Sequence, residues 1–322
     1  MVAKFSKIIG TGSYLPKRIL TNKELEEMVD TNDEWIVERT GIKTRHVVAE
    51  GETTGDMAYF ASLKAIEMSG IDAEQIDMII LGTSSPDFFF PATACYVQSK
   101  LGIKVSKGAF DMQAACSGFM YAVAMADSLI KTGMAKTILV IGADTLSRIV
   151  DYTDRGTCIL FGDGAGAAIL QASDDAGILG SQVYADGSYT SILNCETRID
   201  AGKIIGHPYL TMDGQAVFKF AVKALSGVAK ELADKCGVTL DEIDWVVPHQ
   251  ANMRIIESTA RSLNASMDKV VVTVDKHGNT SAASIPLALD LAIRDGRIKR
   301  GDLVLIEGVG GGFTWGASLI RF

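Results

Sequence analysis

Glu74-Gln75-Ile76-Asp77-Met78-Ile79-Ile80 returns 167 positions later as Asp241-Glu242-Ile243-Asp244-Trp245-Val246-Val247. Each copy sets acidic residues ahead of an apolar run, the pattern of a loop entering a buried strand. A second pair, Leu129-Ile130-Lys131-Thr132-Gly133 and Ala292-Ile293-Arg294-Asp295-Gly296, is spaced by 163 and reads as a helix end before the next strand. Two matches in the same order make the 322-residue chain a duplication rather than a short-period solenoid. We divide it into halves at 1–172 and 173–322.

Around these anchors, short apolar runs alternate with longer helical patterns, as in β-α-β units and an α/β fold. Strands are expected at Met78–Leu81, Thr137–Ile141, Ala167–Leu170, Trp245–Val247, Val270–Val274 and Leu303–Ile306. Helices are expected at Thr54–Ser69, Ser117–Lys131, Gln215–Cys236, Met253–Leu263 and Ser284–Arg294. Thr21-x-x-Glu24 has capping-box spacing and marks an early helix.

Composition removes several function classes. With 48% apolar and 22% charged residues the chain is globular, not disordered. A net charge of −8 argues against nucleic-acid binding through overall charge. No apolar run approaches the roughly 20 residues of a membrane span, and the N-terminus lacks the apolar core of a signal peptide, so a cytoplasmic protein is expected. Cys95, Cys116, Cys158, Cys195 and Cys236 are odd in number and widely spaced. They suit neither a disulfide framework nor a zinc site, and His46, His207, His249 and His277 lack metal-ligand spacing, so no metal is expected.

Three stretches carry chemistry. Ala114-Ala115-Cys116-Ser117-Gly118 sets a cysteine among small residues at a strand-to-helix turn, where the helix start is expected to favour the attacking thiolate. The other cysteines read as small buried hydrophobes. Val247-Pro248-His249-Gln250-Ala251-Asn252 ends a strand on a histidine. His277-Gly278-Asn279-Thr280-Ser281-Ala282-Ala283-Ser284 places an asparagine in a glycine turn. The 163 spacing sets Cys116 opposite Asn279 and the 167 spacing sets His249 opposite Gly82, so all three belong to the strand edge where α/β sheets bind ligands. Gly310-Gly311-Gly312 implies a backbone pressed on a ligand. Phe161-Gly162-Asp163-Gly164-Ala165-Gly166 leads into a strand, which weakens a phosphate-loop reading.

ACSG at 115–118, VPHQAN at 247–252, HGNTSAAS at 277–284 and GGGFTWG at 310–316, with DEWIVERTGI at 33–42 and DRGT at 154–157, resemble bacterial β-ketoacyl-acyl carrier protein synthase III from end to end. The resemblance implies the thiolase fold, duplicated halves in α-β-α-β-α layers, and a homodimer. It implies that Cys116 takes an acyl group from acyl-CoA, and that His249 and Asn279 stabilise decarboxylation of malonyl-acyl carrier protein, giving a β-ketoacyl product that starts fatty-acid synthesis. The N–H groups of Cys116 and Gly311 would form the oxyanion site. Trp35 and Arg155 would sandwich the CoA adenine, Arg39 and Thr31 would contact the nucleotide, and Asn252, Gly214 and Phe218 would line the CoA channel. Phe90 would reach into a partner's acyl pocket. No cofactor is implied; CoA thioester and carrier phosphopantetheine are substrates. Gln215 and Val309 depart from the family's usual Asn and Phe.

For the acidic carrier protein, a local basic surface is expected on Arg254, Arg261, Lys219 and Lys223. Cys…His…Asn is also the order of papain-like proteases, but their paired cysteines and Cys-Trp setting are missing. The nearer rival is a thiolase-fold acyltransferase making an ester, amide or quinolone. A non-catalytic carrier-binding scaffold has no use for an intact triad.

Overall fold

The structure, a computed structural model, describes residues 5–322. Two sheets organise it. The N-terminal sheet runs in the order Phe5–Tyr14, Asp163–Ser173, Thr137–Thr145, Met78–Gly82, Gly108–Met112. The C-terminal sheet runs Ile178–Ala185, Thr314–Arg321, Leu303–Gly310, Trp245–Pro248. Both repeat one pattern: two antiparallel pairings at one side, then a parallel pairing.

Alternation along each strand builds the layers. Ile80, Ile138 and Val140 from one sheet and Val247, Val304 and Ile306 from the other meet the helices Gly118–Lys131 and Ser284–Arg294 between the sheets. The opposite faces, Ile79, Leu139 and Ile141 in one sheet and Val246, Leu303 and Leu305 in the other, are covered by Thr54–Ser69 and by Gly214–Cys236 with Met253–Ser262. Five layers result, α-β-α-β-α, as expected. Covered on both faces, Thr137–Thr145 is buried along its whole length and carries no polar side chain between Ile138 and Ala143.

The helices start and stop where the sequence directs. Thr21 and Glu24 close the expected capping box on Asn22–Glu26. Asp213 caps Gly214–Cys236 through bonds from Gln215 and Ala216 N–H, and Gly237, left-handed at φ +67°, ends it. Asp163-Gly164-Ala165-Gly166 does open a strand.

One expected strand is absent. Val270–Val274 contributes only a bridge from Val270 to Val246, and Val274 begins the short helix Val274–His277. The buried Gln250 side chain takes this segment's hydrogen bonds: Oε1 accepts from Thr273 N (2.7 Å) and Val274 N (3.1 Å), and Nε2 donates to Val271 O (3.0 Å). A β-branched run thus loses its ladder to a side chain.

Candidate active site

The strand Gly108–Met112 runs into a 3₁₀ turn, Ala115–Ser117, and then the helix Gly118–Lys131. Cys116 rides on that turn, forced into place by Ala115 at φ +46°. In the other half the turn Ser281–Ala283 precedes Ser284–Arg294, with Ser281 at φ +50°. Left-handed backbone is costly for residues with a Cβ, so the shared kink identifies the two turns as counterparts. Their spacing is 166, which sets Cys116 opposite Ala282 and corrects the expected pairing with Asn279. The 163 spacing holds only at the helix ends, because the second helix has 11 residues and the first 14. Asn279 comes before its turn, fixed by Asn279 N–H to Leu160 O (2.8 Å) and Gly162 N–H to Asn279 O (3.0 Å).

Cys116, His249 and Asn279, 7%, 2% and 6% exposed, line one cavity of about 1820 Å³ drawn from both halves. The polarity of each donor can be read from its other contacts. Asn279 Oδ1 accepts Ser281 N–H at 2.9 Å, which leaves its NH₂ for the cavity. His249 Nδ1 lies 2.6 Å from Ser284 Oγ, and that oxygen also accepts Gln250 N–H at 3.3 Å. We assign the serine hydrogen to Nδ1, the one acceptor found for it among the described residues, which puts the ring's own hydrogen on Nε2. Burial lowers the His249 pKa from 6.5 to about 3, so the imidazole is neutral.

Burial also pushes the Cys116 thiol up to about 12, with the Asp144 carboxylate adding to the rise and a Ser281 hydrogen bond and the local N–H opposing it. Desolvation thus opposes the thiolate expected from the helix start. The Cys116 N–H, early in its turn, has no intrahelical partner. Gly310 leaves space beside it, since a Cβ there would lie 2.6 Å from Cys116 N. Gly311 also lines the cavity, against Leu193.

The same cavity gathers Trp35, Arg39, Gly214, Phe218, Lys219, Asn252 and Arg254, but Thr31, Arg155, Phe90, Lys223 and Arg261 are not among its lining. Trp35 lies between two guanidinium groups, Arg39 at 4.7 Å and Arg155 at 4.9 Å. Stacking a base between Trp35 and Arg155 takes about 7 Å, so Arg155, bonded here to Asp30 O at 3.0 Å, has to swing away to admit one. Thr31 Oγ1 is buried without a partner. Asn252 uses both ends of its amide within the chain, accepting Arg254 N–H (2.8 Å) and donating to Arg39 O (3.1 Å).

Arg254, Arg261, Lys219 and Lys223 are all exposed on the helices Met253–Ser262 and Gly214–Cys236, and Arg254 reaches over Phe218 at 6.0 Å. Phe90 is 83% exposed, beside Phe89 at 84%. Gln215 is exposed at the cavity, and Val309 packs with Ala221, Ile255 and Phe313. Of the cysteines expected to be buried hydrophobes, Cys158 is buried, while Cys95, Cys195 and Cys236 are half-buried. Among the described residues no group of His, Cys, Asp or Glu is arranged for a metal, and no helix is long and apolar enough to cross a membrane.

Sequence reasoning missed Asp144, Ser281 and Ser284. Asp144 had a signal: a carboxylate near the end of an otherwise uncharged, buried strand. The serines had none, being small residues in a run of small residues.

Family models described as 3-oxoacyl-(acyl-carrier-protein) synthase III and its C-terminal part match residues 110–187 and 233–322. β-Ketoacyl-(acyl-carrier-protein) synthase III of Laribacter hongkongensis is 58% identical over 99% of both chains, and that of Neisseria meningitidis serogroup B is 58% identical over 99% of this chain and 100% of its own. The crystal structure of 3-oxoacyl-(acyl-carrier-protein) synthase III from Aquifex aeolicus superposes with a TM-score of 0.93 at 49% identity, covering 98% of this chain and 100% of the other. By sequence along its whole length and by fold, the chain belongs to the 3-oxoacyl-(acyl-carrier-protein) synthase III family.

Proposed function

We propose that the chain loads an acyl group from acyl-CoA onto Cys116 and condenses it with malonyl-acyl carrier protein, releasing carbon dioxide and β-ketoacyl-acyl carrier protein. One observation carries the reading: two neutral hydrogen-bond donors, His249 Nε2–H and the Asn279 NH₂, belong to the same cavity as the buried Cys116 thiol. Decarboxylation moves negative charge onto the malonyl thioester oxygen, which such donors stabilise. A cationic imidazole would hold the carboxylate that has to leave; burial keeps His249 uncharged. The carbanion then attacks the Cys116 thioester, whose oxyanion takes the Cys116 and Gly311 N–H groups. An ester- or amide-forming relative needs a base facing its nucleophile, and the His249 tautomer offers a donor instead.

Trp35, Arg39, Thr31 and Arg155 are proposed to hold the nucleotide, and Asn252, Gly214 and Phe218 the pantetheine arm. Arg254, Arg261, Lys219 and Lys223 are proposed to meet the carrier protein. Phe90, with Phe88 and Phe89, is proposed to sit in a homodimer interface, since aromatic side chains this exposed call for a cover. The halves 1–172 and 173–322, a cytoplasmic location and the lack of any cofactor complete the proposal. Incubation with labelled acyl-CoA, then malonyl-acyl carrier protein, tests it: label should mass-shift the Cys116 peptide and then pass to a β-ketoacyl carrier. Label retained by Cys116→Ala would reject the nucleophile.

A further inference from the structure

Decarboxylative condensation, the reading on which this inference rests, needs the Asn279 amide held at a fixed angle to the cavity. The backbone that carries this amide is gripped by a second segment. Asn279 N–H donates to Leu160 O at 2.8 Å, Gly162 N–H donates to Asn279 O at 3.0 Å, and Phe161 and Asn279 form a parallel bridge. No helix or strand runs through residues 159–162, so their own place has to be set from outside.

Arg45 reaches them. It lies on the strand Thr44–Val47, opposite Leu20 of the antiparallel strand Arg18–Thr21. Its Nη2 donates to Ile159 O at 2.7 Å, and its Nη1 donates to Asn22 Oδ1 at 2.8 Å and to Leu20 O at 3.3 Å. One planar fork thus ties the two strands to the segment that grips Asn279. The stem of the side chain packs on the same contact, since a Cβ added to Gly162 or to Gly278 would lie 3.0 Å from Arg45 Cβ. Neighbouring bonds seat the strand against the other flank of Asn279: Lys43 N–H donates to Asp275 O at 2.8 Å and Thr44 Oγ1 to Lys276 O at 2.9 Å.

Packing alone does not account for an arginine at this position. Arg45 is fully buried, and among the described residues it is in no ion pair. Burial lowers its pKa from 12.5 to about 10, which leaves it charged at neutral pH. An apolar side chain would fill the same volume without desolvating a charge. A lysine ammonium, a point charge on one atom, lacks the two separate nitrogens that reach the two sides.

We propose that Arg45 is a positioning residue for condensation: its guanidinium fixes residues 159–162 and, through them, the angle at which the Asn279 amide meets the malonyl oxyanion. The turn that carries Cys116 is anchored elsewhere, by Ser117 Oγ donating to Thr314 O at 2.9 Å and Thr314 Oγ1 donating to Ala114 O at 2.8 Å. A shift of residues 159–162 therefore reaches Asn279 before it reaches Cys116.

Arg45→Lys is the primary test, since it keeps the charge and the stem and loses the fork. Carbon dioxide release from malonyl-acyl carrier protein should fall about tenfold, with a smaller loss in single-turnover loading from labelled acetyl-CoA. The double variant decides. In an Asn279→Ala background the same substitution should change carbon dioxide release by less than about twofold, because the group it positions is gone. A merely structural arginine would cost the same in both backgrounds, and that result overturns the proposal, as does wild-type release in Arg45→Lys. Asn22→Ala removes one acceptor and leaves the arginine in place. It should show a smaller loss with the same dependence on Asn279, and it carries the test if the melting curve shows Arg45→Lys unfolded; an equal loss in both backgrounds overturns the proposal there too. No carbon dioxide release by the wild-type protein would instead reject the reading beneath it.

Discussion

The turn Ala115–Ser117 and the turn Ser281–Ala283 are one backbone device used twice, and what faces each differs. At the 166 spacing, Gly310 is the counterpart of Asp144. Asp144 places its carboxylate on the Ala282 N–H, whereas Gly310 leaves the Cys116 N–H without a side chain in front of it. One half therefore fills with its own carboxylate the site that the other keeps open, where we propose that the substrate oxyanion binds. Duplication supplied two turns of one shape, and a single glycine leaves one of them unfilled.

Filling the open turn should have the largest effect. Gly310→Ala puts a methyl 2.6 Å from Cys116 N and 3.0 Å from Ser117 N, both backbone atoms. Acyl loading in a single-turnover assay should drop about 10³-fold. A variant that loads normally would show that the Cys116 N–H is not the oxyanion site and would break the comparison.

Removing the cavity donor of the C-terminal half comes next. Asn279→Ala should slow carbon dioxide release and condensation about 10²-fold while leaving the burst of labelled acyl-enzyme largely intact. A lost burst with normal decarboxylation would reverse the roles of the two halves.

The response of stability to pH sharpens the contrast between buried groups. His249 and His277 have pKa values lowered by burial from 6.5 to about 3 and about 4. Below pH 6.5 the unfolded chain takes up protons that the native protein refuses, so stability should fall as pH drops from 6.5 towards 4 and below. Glu307 acts in the opposite sense: burial raises it from 4.5 to about 8, and its stability contribution is lost as pH rises through that window. Melting temperature against pH should flatten on the acid side in His277→Gln and on the alkaline side in Glu307→Gln. Unchanged profiles in both would reject the assignment.

The smallest effect is expected at the surface, where the proposed carrier contacts all lie on the C-terminal half. Arg254→Glu should reduce turnover with malonyl-acyl carrier protein a few-fold, more at low salt, and spare loading from CoA. Equal loss with both substrates would place Arg254 in the CoA channel rather than at a docking surface.

The architecture was legible because both copies of the strand–turn–helix pattern keep their apolar period, and Cys116, His249 and Asn279 could be named because their motifs sit at strand ends. The pairing of Cys116 with Asn279 was misread because a helix shortened by three residues looks, in one dimension, like a shift of the whole register. Val270–Val274 was misread because β-branching gives no sign that Gln250, 20 positions before Val270, captures the backbone.

The sequence by itself determined the duplication, the layered α/β order and the identity of the reactive side chains, since periodicity and capping act over a few residues. The tertiary structure alone decided their chemical state. Whether Cys116 is a thiol, which nitrogen of His249 carries hydrogen and which end of Asn279 faces the cavity depend on burial and on Ser284, Gln250, Ser281 and Asp144. Desolvation and hydrogen bonding depend on distance in space, and nothing along the chain encodes that distance locally.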